Sequence, residues 1–484
     1  MLECHGEFNK SITIFVNCNN ASPTQNGKTW DRAYSSLQSA LNKASNAYGK
    51  VYVCIAKGTY FPTEIYAPNG QVGGASGLND IRLRTFNIPN NTTLIGGFNG
   101  TETHRKDCNA KENITVLSGL NKYWHVVTVG NDVNPNFKAT CSLYNLIIQG
   151  GNAKGKSGSP ILSGPFTYDH SNGGGLYITH GSSVKLVNVC IKNNNAGITD
   201  PTNPFITTGG LGGGIFCSNS NLVMSKCVIS NNSSEFRSGG LQVLNSFEGE
   251  EHYTAVVKDC LFSNNVAVLY GGAMHTEGIS PNKLSNILVE SSEFKSNTAQ
   301  VGGVIDIVNH TVTFECCNFN DNFSPIAAGG LSTLNIFTAQ STGVKGVVNV
   351  NNSTFTNNVT AGDHQLLSEQ VTGSDTPKSR QGGGACYVTL DGILNISNST
   401  FNSNTVRQGD GGALLNEDPR LIVNKSVVNT VSNCKFLNNS TLYGNGGAIA
   451  SVGDNASKLV IRDTKFKCNS APNGKGDNVY DSKS

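Results

Sequence analysis

Four ionisable side chains near the middle of the chain are of the types that acid–base chemistry uses. His275 and Asp306 each lie three residues beyond a Gly-Gly pair, so a repeating fold would place imidazole and carboxylate on neighbouring copies of one element. Glu277 and His310 follow them within two and four residues. An imidazole oriented by a carboxylate can act as a general acid or base on a sugar chain. The same pair can instead be a hydrogen-bonded contact inside the fold, and we favour this second interpretation.

The Gly-Gly pairs belong to a two-part phrase that recurs nine times from about residue 140. One part is a short apolar run that ends in asparagine, and the other is a Gly-Gly pair that opens a second apolar run. The terminal asparagines are Asn195, Asn232, Asn265, Asn297, Asn322, Asn358, Asn404, Asn439 and Asn469. Their spacing, between 25 and 46 residues, suits a coil of two or three short strands with loops of variable length.

The residue types in this phrase predict an all-β, right-handed parallel β-helix solenoid. Runs rich in Val, Ile and Phe, without a sustained helical period, indicate strands. Glycine suits the corners between strands, and an asparagine amide can bond to the same asparagine one coil away. We expect an inward-facing apolar column directly after the Gly-Gly pairs. Its members are Leu176, Ile215, Leu241, Ala273, Val304, Leu331, Ala385, Ala413 and Ala448.

Cysteines recur at one position of the repeat. Cys190, Cys227 and Cys260 occupy the same predicted place in successive coils. Other coils have there Ser292, Cys317, Ser353, Ser399, Cys434 and Thr464. Coils about 4.8 Å apart would permit a disulfide ladder or a metal site, but small buried residues in an unbridged stack explain the pattern equally, and we favour the stack.

Other cysteines lie in the N-terminal part of the chain. Cys4, Cys18, Cys54 and Cys108 are the disulfide candidates, with Cys4–Cys18 and Cys54–Cys108 as one pairing among several. No C-x-x-C pair occurs among the 14 cysteines, so the sequence predicts no zinc ribbon, no metal site and no cofactor.

Many asparagines stand in N-x-S/T sequons, which together with the cysteines favour a secretory route and an extracellular or cell-surface location. The glycosylation candidates are Asn91, Asn99, Asn113, Asn232, Asn309, Asn352, Asn358, Asn398, Asn424, Asn439 and Asn455. The N-terminus lacks the basic and apolar regions of a leader, so we expect either a leader before this numbering or an unconventional export route.

Residues 1–134 lack the repeat, and we predict that they form an N-terminal cap and the first coils. Leu37, Ala40, Leu41 and Ala44 follow a helical period, with Ser35 or Ser36 as the N-cap. Residues 135–484 form the repeats. Two polar, Gly/Ser-rich stretches, 153–172 and 361–381, interrupt them and are predicted to be long loops.

Gly446-Gly447-Ala448-Ile449 and Phe401-Asn402-Ser403-Asn404 resemble the GGAI and FxxN repeats of chlamydial polymorphic outer-membrane proteins, and more broadly the pectin-lyase-like β-helix proteins. The resemblance covers roughly residues 135–484 and implies the fold. Polysaccharide lyases and hydrolases of that wider group would imply a paired-Asp strand with a Gly-His-Gly turn, or an Arg/Lys cluster with acidic calcium ligands. This sequence has neither pattern.

The composition argues against several classes of function. A net charge of +2 and the absence of a basic cluster interleaved with aromatics argue against a nucleic-acid partner, and no apolar run is long enough for a membrane span. We therefore expect a non-enzymatic extracellular structural or adhesive glycoprotein: a rigid rod whose partners are copies of itself, other surface proteins or glycans. The alternative is a polysaccharide lyase or glycoside hydrolase on the same fold.

Overall fold

The chain folds into a solenoid of stacked coils in a computed structural model. The residues that the structure describes are 11–65, 80–130, 138–154, 170–179, 181–197, 210–245, 253–278, 286–299, 304–335, 345–362, 382–389, 391–417, 427–453 and 458–482. Most of the two predicted loops, 155–169 and 363–381, lies outside this part of the chain.

Four parallel sheets contain the strands of the described residues. Sheet 1 has thirteen strands: Ile12–Val16, Val51–Ala56, Thr92–Phe98, Thr140–Tyr144, Ser183–Val187, Asn221–Ser225, Ala255–Lys258, Asn286–Glu290, Thr311–Glu315, Val347–Asn351, Ile393–Ser397, Val428–Ser432 and Lys458–Arg462. Sheet 2 has twelve: Gly58–Tyr60, Thr115–Ser118, Ile147–Gln149, Cys190–Lys192, Val228–Ser230, Leu261–Ser263, Glu293–Lys295, Asn318–Asn320, Thr354–Thr356, Thr400–Asn402, Lys435–Leu437 and Lys465–Lys467.

Two further sheets complete the coils of the repeat region. Sheet 3 has nine strands: Asn152–Ala153, Asn195–Ala196, Ser233–Ser234, Val266–Ala267, Thr298–Ala299, Phe323–Ser324, Val359–Thr360, Thr405–Gln408 and Ser440–Tyr443. Sheet 4 has twelve: Phe86–Asn87, Val127–Val129, Leu176–Ile178, Ile215–Ser218, Leu241–Asn245, Met274–Gly278, Ile305–Val308, Leu331–Leu334, Cys386–Val388, Leu414–Glu417, Ile449–Val452 and Val479–Asp481. Coils are numbered by their strand in sheet 1, so coil 13 contains Lys458–Arg462. The predicted parallel β-helix is confirmed.

From coil 4 onward, the corners on either side of sheet 2 each contain one residue in the left-handed backbone region. A single such residue joins sheet 1 to sheet 2, as at Asn352 (φ 50°), and another follows sheet 2, as at Asn357 (φ 55°). Asparagine adopts this conformation at low cost. Before sheet 4 the corner is tighter: Gly271 has φ 66°, and a Cβ there would lie 2.4 Å from the carbonyl oxygen of Met274. Glycine suits residue 271 for this reason, whereas Ser238 (φ 56°) and Ala328 (φ 52°) occupy the same corner position in other coils.

The interior of the later coils contains a stack of phenylalanines from the middle position of sheet 2. Adjacent ring centroids lie between 4.2 and 5.4 Å apart. The rings belong to Phe262, Phe294, Phe319, Phe355, Phe401, Phe436 and Phe466. Offset stacking adds to the burial of these large side chains, which fixes the register between coils.

A continuous ladder of buried asparagine amides runs beside this stack. Each Nδ2 donates to the Oδ1 of the next asparagine at 2.9 to 3.1 Å and to a strand carbonyl oxygen of the preceding coil. The ladder consists of Asn194, Asn232, Asn265, Asn297, Asn322, Asn358, Asn404, Asn439 and Asn469. The prediction that Asn195 is its first member was wrong by one residue. Asn193 makes the turn, Asn194 enters the ladder and Asn195 begins a strand of sheet 3.

The inward column of sheet 4 also differs from the predicted one. The pairing of strands aligns Leu241 with Met274, and Met274 with Ile305, so Ala273 and Val304 precede the column. The observed column is Leu176, Ile215, Leu241, Met274, Ile305, Leu331, Cys386, Leu414, Ile449 and Val479. The prediction mixed two registers because a Gly-Gly pair occurs at two offsets from the strand. The left-handed corner residue is Gly271 in one coil but Ser238, before its Gly-Gly pair, in another.

A short helix, Leu37–Ser45, follows the first strand of sheet 1, as the helical period predicts. Its apolar face, which includes Leu37, Leu41 and Ala44, is buried against the strands Ile12–Val16 and Val51–Ala56. Ser36 is the N-cap residue, but its side chain makes no capping hydrogen bond. The helix covers apolar residues that the first coil would otherwise expose.

Candidate functional site

Three of the predicted acid–base residues, His275, Glu277 and Asp306, lie on the outer side of sheet 4, and His310 lies in the turn between sheet 4 and sheet 1. In Met274–Gly278 the inward residue Met274 belongs to the main core, so its neighbour His275 points outward. The pairing of the strands sets His275 directly beside Asp306 on the next coil, and Ser332 follows on the coil after that. The repeat therefore brings an imidazole, a carboxylate and a hydroxyl into one column.

These side chains form a closed network of ion pairs. His275 Nδ1 lies 3.0 Å from Asp306 Oδ2, and His275 Nε2 lies 3.7 Å from Glu277 Oε2. Arg237, from the connection before sheet 4, pairs with the same Glu277 oxygen, and the Ser332 hydroxyl donates to Asp306. Two cations thus face two carboxylates, so the network is neutral when His275 is protonated.

The surroundings of His275 favour its charged form. Burial disfavours the imidazolium, but the carboxylates of Asp306 and Glu277 outweigh that effect, and the pKa of His275 is raised. For Glu277, burial opposes ionisation, whereas His275 and Arg237 hold its pKa below the ordinary value. Each group therefore keeps the other in its charged state.

His310 behaves in the opposite way. Burial, together with the charge of His275, lowers the pKa of His310 to about 3, so this imidazole is neutral. Its Nε2 lies 3.3 Å from Asn245 Nδ2, whose amide can donate to it. The four predicted residues thus lie close together. His275, Glu277 and Asp306 form the ion-pair network, and His310 is a neutral histidine beside it.

This arrangement stabilises charge in the fold; it does not present a reactive group to solvent. The side chains of His275 and Asp306 are 1% and 3% exposed. Ser332 bonds to the carboxylate and not to the imidazole, so His275 is not placed to activate this hydroxyl. Among the described residues, no group of three or more His, Cys, Asp or Glu side chains could hold a metal ion.

Sequence reasoning missed two members of the network, Arg237 and Ser332. Ser332 could have been found, because it has the same position in its strand as Asp306. Arg237 lies in a connection between sheets 3 and 4, where it pairs with Leu211 and Tyr270 of the neighbouring coils, a position at which the sequence repeats no residue type. Its guanidinium carbon also lies 4.8 Å from the ring centroid of Phe236 and 5.7 Å from that of Tyr270, so aromatic side chains help to hold it.

The low pKa of His310 predicts a specific loss of stability in acid. Below pH ~6.5 the unfolded chain binds a proton at this histidine while the folded protein does not, so stability falls as the pH falls. At pH 5 this single group accounts for roughly 2 kcal/mol, at ~1.4 kcal/mol per pH unit. We expect His310→Gln, which keeps an acceptor for Asn245, to remove that part of the loss. Urea unfolding of both proteins at pH 7 and pH 5 measures it; equal losses would contradict the assignment.

A ladder of thiols and hydroxyls lies where sheet 1 turns into sheet 2. Cys260 Sγ donates to the carbonyl oxygen of Lys258 at 3.1 Å and accepts the backbone N–H of Cys227 at 3.4 Å. Ser292 repeats both contacts one coil further, at 2.9 and 3.1 Å. The predicted stack thus has a role, because each side chain satisfies two backbone groups. Cys190 does not belong to it: its strand pairs Cys190 with Val228, so Val189 occupies the ladder position.

This role predicts that serine can replace a ladder cysteine. We expect Cys260→Ser to change the free energy of unfolding by less than about 1 kcal/mol. Cys260→Ala leaves the buried N–H of Cys227 without an acceptor and should cost about 1–3 kcal/mol. Cys190→Ala, outside the ladder, is the matched control and should change stability by about 0.5 kcal/mol or less. Denaturant unfolding under reducing conditions makes the comparison; equal effects of the Ser and Ala replacements at Cys260 would refute the ladder.

The other cysteine predictions concern the N-terminal part. Cys18, Cys54 and Cys108 are free thiols in the structure, which therefore contains no Cys54–Cys108 bridge. Cys4 lies outside the described residues. Burial raises the pKa of Cys54 to about 12, so this thiol remains protonated.

The sequons fall into two structural groups. Asn91, Asn99, Asn352 and Asn398 are exposed. Five others are buried, and each donates its side-chain nitrogen to the fold, so a glycan there is incompatible with this packing. These are Asn113, Asn232, Asn309, Asn358 and Asn439. Asn424 and Asn455 lie outside the described residues.

The repeat itself generates sequons for structural reasons. In Asn398-Ser399-Thr400 the asparagine makes the left-handed turn, the serine belongs to the hydroxyl ladder and the threonine begins a strand of sheet 2. In Asn358-Val359-Thr360 the asparagine is a ladder residue and the threonine is buried. The number of sequons therefore reflects the packing of the repeat. Only the exposed sequons remain candidates for glycosylation.

The chain is a parallel β-helix solenoid protein by its fold. No family model, curated protein or solved structure matches it. Of the helices in the described residues, none is long and apolar enough to cross a membrane.

Proposed function

We propose that this protein is an extracellular structural or adhesive rod, without enzymatic activity. The proposal rests on the continuous strand-by-strand pairing of the stack, in which sheet 1 has one register shift, between Cys54 and Ala56. Sheet 1 pairs strand by strand through thirteen coils, which at about 4.8 Å per coil is a length of roughly 60 Å. The Asn amides, the Phe rings and the thiol–hydroxyl ladder all hold one coil on the next. Such a molecule sets a fixed distance between its ends, which suits a surface coat, an adhesin or a filament.

The His275 network supports the non-enzymatic role over the lyase or hydrolase alternative. Its charges are paired, its side chains are buried, and its hydroxyl is bound to the carboxylate. The proposal also includes a cell-surface location, in line with the exposed sequons. It further includes the resemblance of the repeats to chlamydial polymorphic outer-membrane proteins and to pectin-lyase-like proteins.

Incubation of the purified protein with neutral and uronic polysaccharides tests the proposal. New reducing ends and unsaturated products report turnover, and co-sedimentation with insoluble polysaccharides reports binding. We expect no products, whether or not the protein is retained. Turnover by the wild type that is lost in Asp306→Asn under conditions in which circular dichroism shows this variant to be folded, but retained in the exterior control Glu315→Gln, would establish the lyase or hydrolase instead. Antibody labelling of intact source cells tests the location; labelling only after permeabilisation would contradict it.

A further inference from the structure

One corner of the rod has a graded charge. The corner row is defined here as the last residue of each sheet-1 strand with the first residue of the following sheet-2 strand, in coils 8 to 13. In order, its pairs are Glu290 and Glu293, Glu315 and Asn318, Asn351 and Thr354, Ser397 and Thr400, Ser432 and Lys435, and Arg462 and Lys465. The formal charges of the six coils are therefore −2, −1, 0, 0, +1 and +2.

This sequence of charges is complementary to itself when reversed. We propose that two copies of the protein associate side by side and antiparallel through the corner row. A twofold axis between coils 10 and 11 sets coil 8 against coil 13 of the second copy, and coil 9 against coil 12. Glu293 then faces the partner's Lys465, and Glu290 faces the partner's Arg462. The axis repeats each contact, as an isologous interface requires.

The cationic side chains of the row are available for such contacts. Lys435, Arg462 and Lys465 are exposed, and within the described residues no carboxylate lies within 4.0 Å of them. In the same part of the chain Glu293 accepts a hydrogen bond from Asn320 alone, at 3.4 Å, whereas Glu315 accepts one from the Asn352 amide. Glu290 shares its carboxylate with Lys258, at 2.9 Å, so it contributes less.

The turn residues between the two members of each pair add a charge at only one end of the row. Asp463, at the turn of coil 13, carries the one charge opposed to its neighbours. At the axis itself the turn residues are Asn352 and Asn398, which are uncharged and exposed. The two centres of charge therefore lie at the ends of the contact, and amide and hydroxyl groups lie between them.

The size of the contact predicts a weak complex. Six coils span about 29 Å, and the turn with its flanking residues is about 15 Å wide. The strip removes on the order of 900 Å² from both copies together, below the ~1,200 Å² of stable interfaces. Association should therefore need high protein concentration and low salt, because exposed charges attract over about 10 Å at 0.1 M salt. This inference rests on the proposed structural role and adds a second copy of the protein as its partner. A rod that does not form this contact could still have the structural role.

Charge reversal tests the pairing of Glu293 with Lys465. By sedimentation velocity at low salt we expect a concentration-dependent dimer that dissociates at high salt. Glu293→Lys and Lys465→Glu should each raise the dissociation constant about tenfold or more, since each replaces two attractions by repulsions. The double variant should return close to the wild-type value. Lys192→Glu, on coil 5 outside the row, makes the same change in net charge as Lys465→Glu and should have little effect.

Three outcomes would overturn the proposal: a monomer at every concentration, an association that the single reversals leave unchanged, or a double variant that is not restored. Circular dichroism melting of each variant separates a lost contact from a lost fold. A wild-type monomer that still binds surfaces without turnover would refute this contact and leave the structural role standing.

Discussion

Replacing Asn358 with alanine is expected to lower the free energy of unfolding by about 3–5 kcal/mol, because several buried polar groups lose their partners at once. Asn358 Nδ2 donates to the carbonyl oxygen of Phe319 and to Asn404 Oδ1, both at 2.9 Å. Its Oδ1 accepts from the side chain and the backbone of Asn322, at 2.9 and 3.3 Å. These groups are buried, so bulk water does not replace the lost contacts.

Asn318→Ala is the matched control for that experiment. Asn318 is on the outer side of sheet 2, where its amide oxygen accepts from the Thr354 hydroxyl at 2.6 Å. Its loss should cost less than about 1 kcal/mol, because water replaces the contact. Guanidinium unfolding at neutral pH compares the two. If the two variants are equally stable, the amide ladder does not hold the coils together as described.

Asp306→Asn is expected to have the second large effect, about 3–5 kcal/mol below pH ~6.5, where the raised pKa of His275 keeps its imidazole charged. The variant leaves this buried cation with the more distant carboxylate of Glu277 as its counterion. The variant keeps the shape of the side chain and removes only its charge. His275 would then face Glu277 at 3.7 Å and the like charge of Arg237. We expect the effect to shrink when His275 is first changed to Gln, because the charge that needs Asp306 is then absent.

The four stabilities of this cycle give the coupling between the two side chains. A coupling near zero, or a loss for Asp306→Asn below about 1 kcal/mol, would mean that the pair is not buried as described. The raised pKa of His275 adds a pH signature. Its contribution is fully present below the unfolded pKa of ~6.5 and is lost as the pH rises through the folded value. His310 has the opposite slope, so the two histidines are distinguishable in one titration.

The sequence predicts the class of fold because stacking imposes the same demand on every coil. Phe401 and Asn404 recur with their spacing because one position must fill the interior and another must satisfy the turn. The helix at Leu37–Ser45 can also be predicted from the sequence, since its apolar period is strong. These features depend on local geometry and on repetition, both of which a single sequence contains.

The register and the network partners are less accessible to sequence reasoning. Three consecutive asparagines, Asn193 to Asn195, have three different roles that only the pairing of the coils distinguishes. The Gly-Gly pairs at 239 and 271 look alike but stand one residue apart relative to their strands. Arg237 pairs in register with Leu211 and Tyr270, but no residue type recurs at this position, so the sequence does not mark its contact with Glu277.

If His275 and His310 belong to the packing of the rod, they are shielded from reagents in solution. Reaction of the folded protein with diethyl pyrocarbonate, located by peptide mass spectrometry, measures this shielding. His104 has a side chain that is 69% exposed and should react, whereas His275, at 1%, and His310, equally buried, should react only after unfolding. Modification of His275 in the folded protein at a rate close to that of His104 would show an open site and contradict the account.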